Sequence, residues 1–494
     1  MQFIVDNFEL VTFTLSILVI ISIFASKFSI RFGLPSLLIF LVIGMLAGSD
    51  GIGRIFFEDH KISQIIGIIA LVYILFAGGL ETNLQETTPI IKDGLILANL
   101  GVLLTALLMA FLAYYYLHFS FLEAFLLGSI VSSTDAASVF GLLRTTGIGL
   151  KGKLKPLLEF ESGSNDTAAV ILTTTSIQLL LNPQINYWGV ALSVVLQISI
   201  GSLMGYFSGR LIAILLNRIG LEHEGLYTVL TIAYIYAVYS VTNFLQGNGF
   251  LAVYVCGIIL GNSKFIHKRT IIMFVDGLSW LMQILMFLTL GLLVYPSRLI
   301  PIIIHGMVFA FFLTFVARPI AVFLCSIGSK YTFKDKLFLS WVGLRGATPI
   351  ILATFPFTSG IAQSETIFNI IFFIVLTSLL LQGSTIVKSA NLLGLALKQK
   401  KGSLYPFEFE NRENSPTKLV EFIVPYNSDV ANKPLVGLKI PEGCLITLIC
   451  RGEEYIIPNG KAILQGGDVI LVLMTNDSET EFGKILSSHN PILD

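Results

Sequence analysis

Charge is what this sequence has least of. Of its 494 residues only 13% are Asp, Glu, Lys or Arg, while 54% are hydrophobic. A soluble chain carries roughly 25% charged residues, so this one cannot cover a water-facing surface of its size, and lipid must be the solvent for most of it. The few charges balance, 31 Lys and Arg against 31 Asp and Glu, which removes any global attraction to nucleic acid or to an acidic partner. Cysteine is scarce as well. Cys256 and Cys325 lie in apolar runs and Cys444 and Cys450 in a polar tail; without metal-ligand spacing they read as small buried hydrophobes. The opening MQFIVDNFEL holds no Lys or Arg and so lacks the basic region of a cleaved signal peptide, which makes the first apolar run a retained span. Two further absences bear on function. No nucleophile–base constellation is present, which argues against an enzyme, and no TVGYG-like stretch offers the carbonyl ring of a selective channel.

What is present is a succession of apolar runs. A span takes about 20 mostly apolar residues, and by that ruler thirteen fall between residues 10 and 390. One alternating set of loops carries Lys92, Arg144, Lys151, Lys153, Lys264, Lys268 and Arg269 among others, whereas the opposite set carries Arg54, Lys61 and Arg298. Basic loops mark the cytoplasmic side, which puts the tail there too. Past residue 395 the composition changes. KLVEFIVP, NKPLVGLKIPEG, CLITLICRGEEYIIPNG and GGDVILVLM are β-branched runs between turn signals and read as a small β-rich soluble domain. The expected organisation is a transmembrane domain over 1–395, a linker over 396–414 and a small soluble α+β domain over 415–485. So small a domain buries a modest core, and dimerisation or docking is expected of it.

Ionisable groups at bilayer depth are costly and therefore functional candidates. Here they cluster. The fifth span contains SSTDAASV, with Thr134 and Asp135; the sixth contains EFESGSNDTAAV, with Glu161, Ser162, Asn165 and Asp166; the twelfth contains SWVGLRGATPI, with Arg345 between Gly343 and Gly346. Glycine-rich or interrupted backbone survives at depth only where protein or a water cavity satisfies it, and one interrupted span in each half points to an inverted-repeat transporter with a site near the midplane. The expected fold is an all-α polytopic membrane protein with crossed broken helices. On the sixth helix Ser162 and Asp166 are i,i+4 and share a face, with Asn165 beside them. A hydroxyl, a carboxylate and unwound carbonyls make a hard-oxygen site for an alkali cation. Asp135 reads either as part of that site or as the cap of a broken helix. Glu161 lies off that face and needs its own partner. Arg345, set deep in an apolar span, is the expected one, giving a structural ion pair; Arg318, before Pro319, sits nearer a span end.

At these residues the chain resembles the NhaP type of monovalent cation:proton antiporters. The TD of SSTDAASV, the ESGSND string and the GLRGA of the twelfth span match in order and spacing over roughly residues 8–392. The tail resembles the C-terminal domain of the RCK/TrkA regulators, which suggests the potassium/proton (CvrA-like) branch. The resemblance makes Asp166 the carboxylate that binds cation and proton, with Asn165 its neighbour and Ser162, Asp135 and Thr134 completing the cation shell. It implies pairing of Glu161 with Arg345 and a homodimer in the inner membrane of a prokaryote. No cofactor is expected beyond the transported K⁺ or Na⁺ and H⁺, and a nucleotide or second messenger is an open expectation for the tail's ligand. Ala136 stands where the family often has Pro, so a gentler helix break is expected. The tail lacks a preceding G-x-G-x-x-G unit, so no dinucleotide site is implied.

Exchange needs only competition at one carboxylate. Removing water from a carboxylate favours its neutral form and a bound cation favours its charged form, so proton and cation displace one another. If the empty charged carrier crosses poorly and either loaded form crosses well, antiport follows. With Asn165 neutral the expected exchange is one for one. The alternatives are a cation channel or a ligand-sensing receptor gated by the tail. A channel passes current without a proton gradient, and a receptor needs no buried Asp, Glu and Arg.

Overall fold

Lipid offers no partner to a backbone amide, so apolar sequence at that depth folds as helix. The computed structural model describes residues 8–32, 35–182, 184, 186–398, 417–425, 428–438, 440–451, 454–475 and 478–487, and the chain divides into two units, Met1–Lys400 and Lys401–Asp494. Most of the expected 396–414 linker lies outside the described residues.

The first unit begins with α1 (Phe8–Phe32), α2 (Ser36–Ala47) and α3 (His60–Glu81). α4 runs over Leu84–Leu117, with a 3-10 turn at Thr88–Ile90 and a π-helical turn at Leu97–Gly101. α5 (Phe121–Ile130) and α6 (Ala136–Thr145) are half-helices, and α7 spans Leu154–Leu181. Then come α8 (Tyr187–Arg218), α9 (Glu224–Phe244), α10 (Gly249–Gly261) and α11 (Lys268–Leu292). α12 covers Pro296–Cys325, with a 3-10 turn at Ile300–Ile302 and a π-helical turn at Leu313–Ala317. Two more half-helices, α13 (Phe333–Trp341) and α14 (Ala347–Thr358), precede α15 (Ser364–Leu392). Among the described residues seven helices are long and apolar enough to cross a membrane, namely α3, α4, most of α8, α9, α11, α12 and α15. α2, α5, α10 and α14 are apolar but shorter.

Two stretches of this unit share one plan. α4 and α12 each pass from a first α-helical turn into a proline-containing 3-10 turn, and each carries a π-helical turn. A capping box then starts a half-helix, Ser120 with Glu123 for α5 and Thr332 with Asp335 for α13, so that side chain and backbone satisfy each other's orphan groups. Each half-helix stops short, at residues 131–135 and 342–346, and a second half-helix resumes before a long one, α7 or α15. The absence of Pro after Asp135 does not soften the first interruption: Asp135 is extended, with φ −114° and ψ 96°.

Close packing elsewhere depends on small residues. A Cβ on Gly79 would stand 2.5 Å from the Tyr254 carbonyl oxygen and 3.0 Å from Gly257 Cα, so α3 and α10 approach backbone to backbone. α8 packs on α10 through one face, where a Cβ on Gly205 would stand 2.6 Å from the Ala252 carbonyl oxygen, and leaves most of its remaining surface exposed, with only 11% of its apolar stretch buried. A two-stranded ribbon, β1 (Ile148–Leu150) antiparallel to β2 (Ala396–Lys398), ties the α6–α7 connection to the end of the unit. On the opposite side of the sequence's charge alternation, Asp50 accepts from the Ser297 amide at 3.0 Å and from its hydroxyl, contacts that lower its carboxyl below the usual range.

The second unit is an antiparallel sheet in the order β3 (Thr417–Ile423), β6 (Val469–Thr475), β4 (Cys444–Arg451), β5 (Glu454–Ile456), covered by α16 (Glu479–Ser487). Phe482 and Leu486 of α16 join Ile449, Ile470 and Val472 in its core. The NKPLVGLKIPEG run forms no strand in its described part; around Pro434 it makes a 3-10 turn, Leu435–Gly437, because proline withholds the amide a ladder needs. Buried Asp468 accepts from Arg451 Nε at 2.9 Å and Nη2 at 2.8 Å, which raises the guanidinium's affinity for its proton further.

Candidate functional site

The two interruptions face each other. The Asp135 amide donates to the Leu344 carbonyl at 2.7 Å, and Arg345 Nη1 donates to the Ser133 carbonyl. Each break thus satisfies backbone groups the other leaves without a helical partner. Arg345, 1% exposed, brings its positive charge to the C-terminal end of α5, where the helix dipole favours a cation. Gly346 makes the crossing sterically possible, since a Cβ there would lie 2.2 Å from Asp135 Oδ2.

α7 passes beside the first break and clamps it with two polar side chains. Ser162 Oγ accepts from the Ala136 amide at 3.0 Å and donates to the Thr134 carbonyl at 2.8 Å. Asn165 Oδ1 accepts from the Thr134 amide at 3.2 Å, while its Nδ2 donates to Thr134 Oγ1 at 2.6 Å. Asp135 closes the start of α6, accepting from the Ser138 amide at 3.0 Å and from the Ser138 hydroxyl. The capping reading of Asp135 is therefore real, and its charge still reaches Asp166. The structure brings together Thr134, Asp135, Ser162, Asn165 and Asp166.

Asp166 differs from its neighbours. It is buried, with 9% of its surface exposed, and among the described residues it belongs to no ion pair. The hydroxyls of Ser133 and Thr348 and the charges of Asp135 and Arg345 act on it. Among the described residues the Ser133 hydroxyl makes no hydrogen bond. Carboxylate and hydroxyl oxygens of this kind suit a hard monovalent cation.

The expected Glu161–Arg345 pair is not what forms. Glu161 Oε1 lies 2.7 Å from Arg318 Nη2, with both side chains almost wholly buried, whereas Arg345 is engaged by the Ser133 carbonyl. The reason lies in α12. Pro319 has no amide to donate one turn back and its ring crowds the carbonyl there, and the π-helical turn Leu313–Ala317 immediately precedes it. The wider turn carries Arg318 into the protein interior. An Arg-Pro pair inside an apolar run was the available signal. Sequence reasoning also passed over Ser133, Thr348, Ser138, Ser378 and Gln382, because an uncharged polar side chain in an apolar span carries no sign of which way it faces.

Comparison with known proteins follows the same lines. The family model described as "Sodium/hydrogen exchanger, transmembrane" matches residues 15–390, and that of the TrkA-C domain matches residues 419–487. The chain is 37% identical over 484 residues to a protein named K(+)/H(+) antiporter NhaP from Alkalimonas amylolytica, covering 98% of this chain and 84% of that one. It is 37% identical over 461 residues to K(+)/H(+) antiporter NhaP2 of Shewanella sp. (strain ANA-3), covering 93% and 80%. A solved structure of the sodium proton antiporter MjNhaP1 from Methanocaldococcus jannaschii at pH 8 superposes with a TM-score of 0.71 at 23% identity, over 78% of this chain and all of that one, which establishes a common fold. The chain is a multi-pass membrane protein that belongs to the sodium/hydrogen exchanger family and carries a TrkA-C domain after its membrane part.

Proposed function

We propose that the protein exchanges a monovalent cation for protons by competition at Asp166. The observation that carries this reading is a buried carboxylate without a fixed counter-ion among the described residues, beside the crossing of two helix breaks, while Glu161 five residues earlier has an arginine of its own. Protonated, Asp166 is neutral; deprotonated, it takes a cation within a shell completed by Ser162, Asp135 and Thr134, with Asn165 holding the break beside it. Ser133 and Thr348 add hydroxyls on the same side. One carboxylate that alternates between one proton and one cation gives electroneutral exchange. The names of the 37%-identical relatives favour K⁺ over Na⁺.

The reading extends to the assembly. The chain crosses thirteen times, with α5–α6 and α13–α14 each making one crossing from two half-helices, and the TrkA-C domain lies in the cytoplasm of a prokaryote, beneath its inner membrane. The protein works as a homodimer, and a nucleotide or second messenger binds the TrkA-C domain. In proteoliposomes carrying a proton gradient and tested with K⁺, Na⁺ and Li⁺ in parallel, Asp166→Asn folds but loses cation-dependent proton movement. Retained exchange in that variant would remove the mechanism, and ion current without a proton gradient would favour a channel instead.

A further inference from the structure

Both helix breaks are held by a pair of polar side chains from a long helix, and the second such pair has no role in exchange as described above. At the first break the pair is Ser162 and Asn165 on α7. At the second it is Ser378 and Gln382 on α15. Ser378 Oγ accepts from the Arg345 amide at 3.0 Å and donates to Gln382 Oε1. Gln382 Nε2 donates to the Trp341 carbonyl at 3.0 Å. Trp341 ends α13, so that carbonyl is one the half-helix leaves unsatisfied. The Trp341 indole in turn donates to Thr385 Oγ1 at 3.0 Å, again on α15. Ser378 and Gln382 are 5% and 2% exposed. Because the two stretches follow one plan, α15 stands to the second break as α7 stands to the first. The two pairs share the serine that caps a broken backbone. Gln382, one turn beyond Ser378, differs in charge from Asp166, one turn beyond Ser162.

That difference has a chemical consequence. An amide offers an acceptor and a donor at once, whereas an ionised carboxylate offers acceptors only. Gln382 uses both ends, one for Ser378 and one for Trp341, and is satisfied without any proton or ion. Asp166, one turn beyond Ser162, is completed only by something that comes and goes.

We propose that Ser378 and Gln382 are positioning residues for exchange, a neutral pair that clamps the second break whether or not a cation is bound. The clamp keeps the Leu344 carbonyl on the Asp135 amide and Arg345 on the Ser133 carbonyl, and so fixes one wall of the site while the other wall reorganises with its load. The proposal rests on the reading of Asp166 as the exchanging carboxylate.

Hydrogen–deuterium exchange on the full chain in detergent, with and without saturating K⁺ at one pH, tests it without any substitution. The amides of Thr134 and residues 136–138 slow several-fold when K⁺ is added, while those of Asp135 and of residues 343–347 are slow from the start and change less than twofold. Fast exchange at 343–347 that K⁺ slows as much as it slows Thr134 and 136–138 would overturn the clamp. Slow amides at 343–347 with no response to K⁺ at either break would uphold the clamp and count against Asp166 instead. Transport kinetics supply a second readout. Ser378→Ala raises the apparent KM for the cation at least fivefold with the maximal rate within twofold, and Ser378→Thr, which keeps the hydroxyl, restores KM to within twofold of the parent. Equal effects of Ala and Thr would mean that the site needs only volume there, and would refute the positioning role.

Discussion

Glu161 and Asp166 sit five residues apart on one helix, both buried, and the protein treats them in opposite ways. Glu161 is given a permanent cation, Arg318, at 2.7 Å. Asp166 is given hydroxyls, a second carboxylate in range and no ion pair among the described residues. A buried charge with a fixed partner is compensated in every state and holds elements together; a buried carboxylate without one is stable only when something mobile neutralises it. Placing the two side by side separates scaffolding from transport within less than two helical turns.

The comparison breaks most visibly at the fixed pair. Glu161→Gln or Arg318→Met alone leaves one buried charge uncompensated and lowers stability by about 3–5 kcal/mol, seen as lost monodisperse yield and a lower thermal midpoint. The joint Glu161→Leu, Arg318→Met protein recovers most of that loss. A double-mutant cycle sharpens the pairing: Glu161 couples more strongly to Arg318 than to Arg345, and the reverse ranking would restore the partner expected from sequence.

Next in size is the crossing itself. Gly346→Ala drives a methyl group against Asp135 and costs about 1–3 kcal/mol as overpacking, with a fall in exchange rate; an unchanged midpoint and rate would mean that the breaks are not in contact. Asp135 separates cap from ligand. Asp135→Ala loses about 0.5–2 kcal/mol of capping, whereas Asp135→Asn keeps the cap and the thermal midpoint and raises the cation KM; an Asn variant with the parent's KM would leave Asp135 as a cap alone. The smallest effect is expected at Lys155–Glu159, 3.8 Å apart and partly exposed. Lys155→Ala shifts stability by less than about 1 kcal/mol, and salt shrinks that further.

Much of this was legible in the sequence because charge is so rare in it. SSTD, ESGSND and GLRGA stood out against apolar runs, and their residues do converge, with Ser162 and Asn165 of α7 both bonded to Thr134 in the first break. The alternation of short β-branched runs marked the sheet of the tail. The partner of Glu161 was not legible. Burial of an arginine depends on helix phase, and a single π-helical turn ahead of Pro319 changes that phase without changing composition. The brace of the second break was hidden for a different reason: Ser378 and Gln382 are neutral, and nothing in SLLLQ says that two of its residues close a broken helix forty residues upstream.

Cation binding to the purified protein, followed with the protons it releases and repeated at several pH values, addresses the central claim most directly. Competition at one carboxylate predicts that each bound cation displaces up to one proton. It also predicts that the apparent affinity weakens about tenfold for each unit the pH falls through the range where that carboxyl is protonated, and that both effects vanish in Asp166→Asn. Cation binding that releases no proton and keeps one affinity across that range would contradict it.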